Sequence, residues 1–239
     1  MFVSFFYFSA EGFFRGIKTI PNAKWRERAQ ALGALRYFSL QRAGKSITCY
    51  EITPMQAASV SPACCDIVIF SHPISKKAKY FVSDSQRASL YLERGLRVIS
   101  FDYNGFGESD SIDLNYWHDA KLVIEHVKAQ FPGCKICLHG LSFGAFHVIR
   151  AIEYLPLGSK VILENVNKSL YSYWQKWPLT RWAVKLLEVL PVQAIADMNV
   201  KDVCARLDRK DLRVDFIACQ QDKMTTPEEM QELFATLVV

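Results

Sequence analysis

Residues 135–149, KICLHGLSFGAFHVI, decide the fold. They begin with a short apolar segment, pass through the pentapeptide GLSFG at residues 140–144, and continue with apolar residues at helical spacing. A strand that turns abruptly into a helix leaves the residue at the turn exposed, and side chains two positions before and after it would strike the neighbouring strand and helix. Gly140 and Gly144 remove those side chains. The pattern therefore predicts a strand, a tight turn at Ser142 and a helix.

Ser142 is the candidate nucleophile at this turn. The helix that follows directs amide hydrogens and the positive end of its dipole at the same place, so the N–H of Phe143 is positioned to stabilise an oxyanion. The motif G-x-S-x-G alone is expected by chance in roughly one chain in ten of this length. Its position between a predicted strand and a predicted helix makes it specific.

The chain on either side alternates strands and helices. Two segments rich in aromatic and β-branched residues flank a turn and predict an antiparallel hairpin, at residues 34–41 and 46–53. Short apolar segments predict buried strands at residues 66–70, 96–101, 135–141, 160–163 and 212–219. Helices are predicted over residues 78–94, 116–131 and 143–154 and from Pro227 onward. The fold class is therefore α/β, with a mostly parallel central sheet, an antiparallel N-terminal hairpin and helices on both faces.

The length and composition predict one domain. A chain of 239 residues that is 50% hydrophobic and 22% charged can bury one large core. We expect a single domain over residues 1–239, with its N-terminal hairpin at residues 33–53. Between residues 166 and 210 the alternation lapses in an aromatic-rich sequence that contains Pro178. We interpret this segment as a small helical cap inserted over the sheet, and ordinary packing helices are the alternative.

Four landmarks occur in the order typical of one superfamily. They are a strand end followed by His-Pro-Ile at residues 70–74, the turn DYNGFGES at residues 102–109, the GLSFG turn, and Asp222 after a late strand. On these residues the chain resembles the α/β-hydrolase superfamily over positions 37–237. The resemblance implies the α/β-hydrolase fold and the chemistry of a serine hydrolase of the esterase, lipase or thioesterase kind.

The resemblance also implies roles for particular residues. Ser142 is the nucleophile, Asp222 is the acid of the triad, and the backbone N–H groups of Phe143 and Ile74 form the oxyanion hole. Pro73 stands where the superfamily often has glycine, and it removes one amide but leaves that of Ile74. The alternative role of Asp222 is that of a turn residue ahead of a capped helix.

A histidine base is missing from its usual place. In the superfamily the histidine follows the acid, but here no histidine follows Asp222, and the last of the five is His147. A serine hydroxyl without a base is a poor nucleophile, because nothing takes its proton during attack. His72, beside the oxyanion loop, is assigned as loop support or as a substitute base. His139 is expected to pack in the core.

Two explanations fit the missing histidine. Either the chain is shortened, or it is a hydrolase-like scaffold that has lost catalysis. The apolar residues 237–239 have the composition of sequence entering another element, which favours the first explanation. The predicted function is hydrolysis of a carboxylic ester, thioester or related acyl substrate through an acyl-enzyme. A catalytically inactive binding module and a truncated form of an active enzyme are the alternatives.

Composition limits the cofactors and partners. Seven cysteines without zinc-finger or secreted-scaffold spacing predict reduced thiols, no metal site and no cofactor. The formal charge of +5 is accompanied by no nucleic-acid motif, so the basic N-terminal region is interpreted as a solvated surface or a contact with a membrane surface. The partner expected is a small-molecule acyl substrate. A secretory signal is not predicted, and we expect a cytoplasmic or peripheral membrane protein of unspecified oligomeric state.

Overall fold

A computed structural model describes most of the chain between Lys24 and Leu237. The described residues are 24–55, 67–74, 77–84, 86–113, 115–167, 169, 175–176, 181, 200, 203–204, 211–222 and 225–237. The aromatic N-terminus and most of the predicted cap at residues 166–210 lie outside these residues. The interpretation of the cap therefore stays a prediction.

The N-terminal hairpin is present as predicted. Strand β1 (Gly33–Arg42) pairs antiparallel with strand β2 (Lys45–Pro54), with Arg42 opposite Lys45. The two residues between them have positive φ, 50° at Ala43 and 74° at Gly44. Positive φ at both central positions is the geometry of the tight turns that match the twist of a hairpin. Each strand is one residue longer at both ends than the sequence predicts.

The remaining strands form the parallel part of one sheet. They are β3 (Ile67–Ser71), β4 (Arg97–Phe101), β5 (Ile136–Leu141), β6 (Lys160–Glu164) and β7 (Arg213–Ile217). The order across the sheet is β1-β2-β4-β3-β5-β6-β7, with β2 antiparallel to β4 and every later pairing parallel. This confirms the predicted mixed sheet. The carboxyl ends of β3 to β7 therefore share one edge, where ligands bind in sheets of this kind.

Helices connect the strands. In chain order they are α1 (Trp25–Leu32), α2 (Ala78–Asp84), α3 (Gln86–Glu93), α4 (Trp117–Gln130), α5 (Phe143–Val148) and α6 (Pro227–Leu237). A 3₁₀ helix, Ile149–Tyr154, directly continues α5. The sequence predicts one helix over residues 78–94, where the structure has two, and one regular helix over 143–154, which tightens after Val148. Among the described helices none is long and apolar enough to cross a membrane.

Both faces of the sheet are buried. Along β3, Ile67 and Ile69 belong to a core cluster that includes residues of α4 and α5. Val68, between them, belongs to a second cluster that includes residues of α1, α2 and α3. Successive side chains of a strand point to opposite faces, so this division shows helices packed on both sides. The continuous apolar sequence of β3 is a consequence of that double burial.

The central strands carry much of the stability. Leu138 in β5 is fully buried within the first cluster, whereas Leu157, before β6, is 79% exposed. Leu138→Ala is expected to lower the free energy of unfolding by about 2–5 kcal/mol, because it leaves a cavity that the surrounding strands cannot close. Leu157→Ala is the matched control, with an expected change within about 0.5 kcal/mol. Urea denaturation measures both, and equal effects would contradict the burial assigned to β5.

Candidate functional site

Ser142 lies at the abrupt turn between β5 and α5. Its backbone has φ 51° and ψ −117°, a conformation that residues other than glycine rarely adopt. Such strain is maintained only where the surrounding structure fixes it, and it concentrates at functional sites. The Ser142 N–H donates to the carbonyl oxygen of Glu164 at 2.8 Å, and the Ser142 carbonyl accepts from Ala145 N–H at 2.9 Å. These two bonds attach the turn to β6 and to the first turn of α5.

The two glycines of the pentapeptide are required by close contacts. A methyl group at Gly140 would lie 2.6 Å from the Cα of Ala145, inside the helix that follows. A methyl group at Gly144 would lie 2.6 Å from Oγ of Ser71 and would overlap the Ser71 carbonyl. The sequence correctly predicts that both positions exclude side chains. It does not reveal that the obstacle at Gly144 is the end of β3.

The Ser142 hydroxyl is accessible and unengaged. The residue is partly exposed, and within the described chain its Oγ makes no hydrogen bond. A hydroxyl that is partly exposed at a strained turn is open to a ligand or substrate. The role of Ser142 as nucleophile stays a prediction.

Two backbone amides are predicted to form an oxyanion hole. Phe143 is the first residue of α5, where the N–H has no partner inside the helix, and Ile74 follows β3 in the adjacent turn. Within the described residues, neither amide makes a hydrogen bond. The Ser71–Gly144 contact holds the end of β3 against the start of α5. The end of β3 and the start of α5 are thus in contact. The role of the two amides as oxyanion donors stays a prediction.

His72 supports the loop after β3. It is fully buried, and its Nδ1 bonds to the carbonyl of Pro73 at 2.9 Å while the N–H of Tyr103 donates to its Nε2 at 3.5 Å. Burial lowers the pKa of His72, so the ring is neutral. Both nitrogens are occupied by backbone groups. Of the two roles predicted for His72, this arrangement matches support of the loop. Neither ring nitrogen bonds to Ser142.

His139 and His147 likewise make no hydrogen bond to the hydroxyl of Ser142. The Tyr91 hydroxyl lies 2.8 Å from Nδ1 of His139, whose Nε2 lies 3.2 Å from the Glu164 carboxylate. His139 is buried, as predicted. His147 is buried against the ring of Phe143, with 4.4 Å between ring centres, and burial lowers its pKa to about 3.

The remaining two histidines lie along α4. The ring of His118 stacks on Trp117 at 3.7 Å, and that of His126 packs against Phe38 of β1 at 4.9 Å. All five histidines lie in the described chain, and none bonds to the hydroxyl of Ser142. None of the five histidines is therefore placed by a hydrogen bond to act as a base for Ser142.

Asp222 lies beyond β7 on the same edge of the sheet. Its carboxylate accepts hydrogen bonds from the Thr225 hydroxyl at 2.6 Å and from the Thr225 N–H at 3.1 Å. Asn165, with φ 50°, joins the ends of β6 and β7 through its N–H to the Ile217 carbonyl at 2.9 Å. One strand, β6, thus separates the elements that carry Ser142 and Asp222, a step of about 10 Å. The role of Asp222 as triad acid stays a prediction.

The helix after Asp222 begins as the sequence predicts. The Thr226 hydroxyl accepts from Glu229 N–H at 3.5 Å, and the Glu229 carboxylate accepts from Thr226 N–H at 3.4 Å. These reciprocal contacts have the pattern of a capping box. Helix α6 therefore starts at Pro227, directly after the turn that holds Asp222.

The turn after β4 is shaped by a buried carboxylate. Asp102 accepts hydrogen bonds from Ala78 N–H at 2.8 Å, Glu108 N–H at 3.0 Å and the Tyr50 hydroxyl at 3.2 Å. The Ser109 hydroxyl donates to the Asp102 carbonyl at 2.6 Å. Both residues therefore shape the loop through hydrogen bonds to its backbone. Neither residue is available for catalysis.

Two residues near the elbow are not assigned any role by the sequence. The hydroxyls of Ser71 and Tyr103 bond to each other, and the Tyr103 hydroxyl lies 3.5 Å from the carbonyl oxygen of Gly144. Both residues occur in the quoted landmarks, but neither carries a signal beyond being a polar residue at the end of an apolar strand. Only the folded chain shows that they meet beside Gly144, two residues after Ser142.

No metal centre is found in the described part of the chain. Three or more His, Cys, Asp or Glu residues nowhere cluster in a way that could hold a metal ion among those residues. The described cysteines are free thiols, at positions 49, 134, 137, 204 and 219.

Comparison with solved structures identifies the fold. An esterase of Pyrococcus furiosus superposes with a TM-score of 0.63 at 16% identity, over 92% of this chain and 80% of that one. The thioesterase domain from the curacin biosynthetic pathway gives 0.57 at 13% identity, over 86% and 90%. An acylaminoacyl peptidase of Pyrococcus horikoshii gives 0.65 at 13% identity, over 92% and 37%. No family model and no curated protein sequence matches the chain.

These neighbours are α/β hydrolases, and the chain has their fold. The strand order, the antiparallel start and the turn at Ser142 are thus features of one known architecture. At these low identities the likeness establishes the fold alone.

The ion pair between Arg87 and Glu164, whose backbone carbonyl bonds to Ser142, makes the stability of the fold sensitive to acid. Burial opposes ionisation of Glu164, but hydrogen bonds from His139 and Arg87 outweigh it and lower the pKa of its carboxyl from 4.5 to about 2. A depressed pKa stabilises the fold above the unfolded value of 4.5, and that contribution is lost as the pH falls towards 2.

We expect Arg87→Met to lower the free energy of unfolding by about 1–3 kcal/mol at pH 7, since the guanidinium is half exposed and screened by solvent. The difference from wild type should shrink as the pH falls from about 4.5 towards 2. Arg213→Met is the control, because its ion pair with Asp215 is exposed on both sides. Denaturant titrations at pH 7 and pH 3 measure both variants, and a difference that does not depend on pH would refute the linkage.

Proposed function

We propose that this protein is a serine hydrolase of carboxylic esters, thioesters or related acyl compounds, with Ser142 as nucleophile. The observation that carries the proposal is the unbonded hydroxyl of Ser142 on a strained backbone at φ 51°. The esterase and thioesterase among the structural neighbours support an acyl substrate. The acid role of Asp222 and the oxyanion role of the Phe143 and Ile74 amides belong to the same proposal.

The chemistry proceeds through an acyl-enzyme. Oγ of Ser142 attacks the acyl carbon and loses its proton to a base, and the carbonyl oxygen becomes an oxyanion that accepts hydrogen bonds from the amides of Phe143 and Ile74. The oxyanion collapses, the bond to the leaving alkoxide or thiolate breaks, and that group takes the proton. Water then attacks the acyl-enzyme, releases the carboxylic acid and returns a proton to Oγ. The amides act at the step where negative charge develops, which is where fixed donors accelerate acyl transfer most.

The proposed reaction needs a group that accepts the proton of Ser142. No histidine of the described chain bonds to the Ser142 hydroxyl, so attack needs a base that these imidazoles do not supply there. A positioned base contributes about a hundredfold to ten-thousandfold to such a step. We therefore expect Ser142 to be accessible to substrate but to react slowly.

Covalent labelling tests the nucleophile. A fluorophosphonate should attach to Ser142 with loss of fluoride, and Ser142→Ala should show no adduct by mass spectrometry. Ser159→Ala is a suitable control, since Ser159 lies on the loop before β6 and is buried away from the turn. Labelling that persists in Ser142→Ala, or that is absent from the wild type in every buffer, would overturn the proposal.

Added imidazole should accelerate the labelling of Ser142. Neutral imidazole can take the proton that no side chain takes, so at about 100 mM we expect at least a tenfold faster reaction. The acceleration should rise with pH through the imidazole pKa of about 6.5–7 and then level off, because only the neutral form accepts a proton. Rates measured from pH 5 to pH 9 decide this. Fast labelling that ignores imidazole would show that the protein already supplies its base.

A non-catalytic binding module is the second candidate. The absence of a histidine at the Ser142 hydroxyl in the described chain favours it, while the two free amides would still bind an anionic oxygen. On this reading a carboxylate would bind to wild type and to Ser142→Ala with similar affinity. Such binding, together with no labelling even in imidazole, would replace the enzyme by the binding module.

A further inference from the structure

The two proposed oxyanion donors come from different elements of the fold. Phe143 opens α5, and Ile74 belongs to the turn after β3. Stabilisation of an oxyanion requires both amides within about 3 Å of one oxygen, so the distance between the two elements must be fixed. A displacement of about 1 Å can cost a hundredfold in rate. The residues that connect β3 to α5 therefore matter to the proposed chemistry.

Tyr103 makes contacts with both elements. Its hydroxyl bonds to the Ser71 hydroxyl at the end of β3 and lies 3.5 Å from the carbonyl oxygen of Gly144 in α5. Its backbone N–H donates to Nε2 of His72 at 3.5 Å, and His72 in turn bonds to the carbonyl of Pro73, next to Ile74. One residue thus connects the two carriers of the oxyanion amides through its side chain and its backbone.

The Tyr103 ring is held in place on every side. It is fully buried and forms edge-on contacts with the rings of Phe143 at 5.7 Å, His147 at 5.6 Å, His72 at 5.3 Å and Tyr116 at 5.8 Å. Edge-on packing of this kind fixes ring orientation as well as position. The phenol oxygen is therefore confined to the gap between Ser71 and Gly144.

The hydroxyl is suited to a bridging role. Burial raises the pKa of Tyr103, so the phenol keeps its proton and can donate to one partner while accepting from the other. With the Ser71 hydroxyl donating to Tyr103 and Tyr103 donating to the Gly144 carbonyl, every group is satisfied. A phenylalanine would leave the Ser71 hydroxyl and the Gly144 carbonyl without this partner in a buried site.

We propose that Tyr103 and Ser71 are positioning residues that set the spacing of the oxyanion hole. They touch no reacting atom, and they act by holding the turn of Ile74 against the first turn of α5. This inference rests on the proposed function, since the spacing has a catalytic consequence only if Ser142 reacts. The contact itself can be tested independently of any reaction.

The first test measures reaction at Ser142. Tyr103→Phe keeps the ring and removes the hydroxyl, and the rate constant for fluorophosphonate labelling should fall about tenfold to a hundredfold. Tyr91→Phe is the matched control: it also removes a hydroxyl bonded to a buried side chain, His139, but on the other face of the sheet. Its labelling rate should stay within about twofold of wild type. Ser71→Ala should resemble Tyr103→Phe, and the double variant should be no slower than the slower single variant.

The second test measures the contact without chemistry. Two amides report on the turn: that of Ser142 donates to the Glu164 carbonyl of β6, and that of Ala145 donates to the Ser142 carbonyl. Hydrogen exchange at both should be about fivefold to tenfold faster in Tyr103→Phe than in Tyr91→Phe. Exchange at Leu138 in the central strand should be the same in both variants. A uniform increase would indicate a general loss of stability and would overturn the positioning role.

The outcomes separate the two proposals. If wild type labels at Ser142 and Tyr103→Phe labels equally fast, the positioning role is wrong and the proposed function stands. If wild type does not label, with or without imidazole, the proposed function is wrong, and the exchange at Ser142 and Ala145 alone decides the contact. Slow labelling with faster local exchange supports both.

Discussion

The close approach of α5 to the end of β3 is the constraint on which the site depends. The Gly144 backbone lies so near the Ser71 carbonyl that no side chain fits between them. This approach brings the helix N-terminus to the carboxyl edge of the sheet and leaves Ser142 with φ 51° at the turn. The strained, partly exposed position of Ser142 is thus tied to one packing contact.

Much of the fold can be predicted from local patterns. Each parallel strand is a short apolar segment because it is buried on both faces, and the tight hairpin is indicated by Ala43 and Gly44 between two β-rich segments. The division of residues 78–94 into two helices is not visible, since both halves have helical periodicity. Nor is the 3₁₀ character of Ile149–Tyr154, because the apolar spacing of the two helix types is similar over six residues.

The site is predictable only where its geometry is local. Gly140, Ser142 and Gly144 lie within five residues and specify the turn by themselves. Contacts between distant segments leave no such pattern: Ser71, Tyr103 and Gly144 meet across 73 positions of sequence, 144 minus 71, and their residue types are ordinary. The same holds for the Arg87–Glu164 pair, which is 77 residues apart. The sequence predicts Ser142 as the nucleophile, whereas the contacts that hold its turn are visible only in the folded chain.

Polar groups near the site fall into two classes, and the difference between them bears on function. Asp102, Glu164 and Asp119 are buried carboxylates, and each is satisfied by several donors from other segments. They contribute rigidity, because leaving such a group unpaired would cost more than the folded state tolerates. Within the described chain the Ser142 hydroxyl makes no such bonds, although its backbone is held from both sides. The proposed function needs such a rigid frame around an accessible hydroxyl, because a strained turn keeps its conformation only where the surrounding residues fix it.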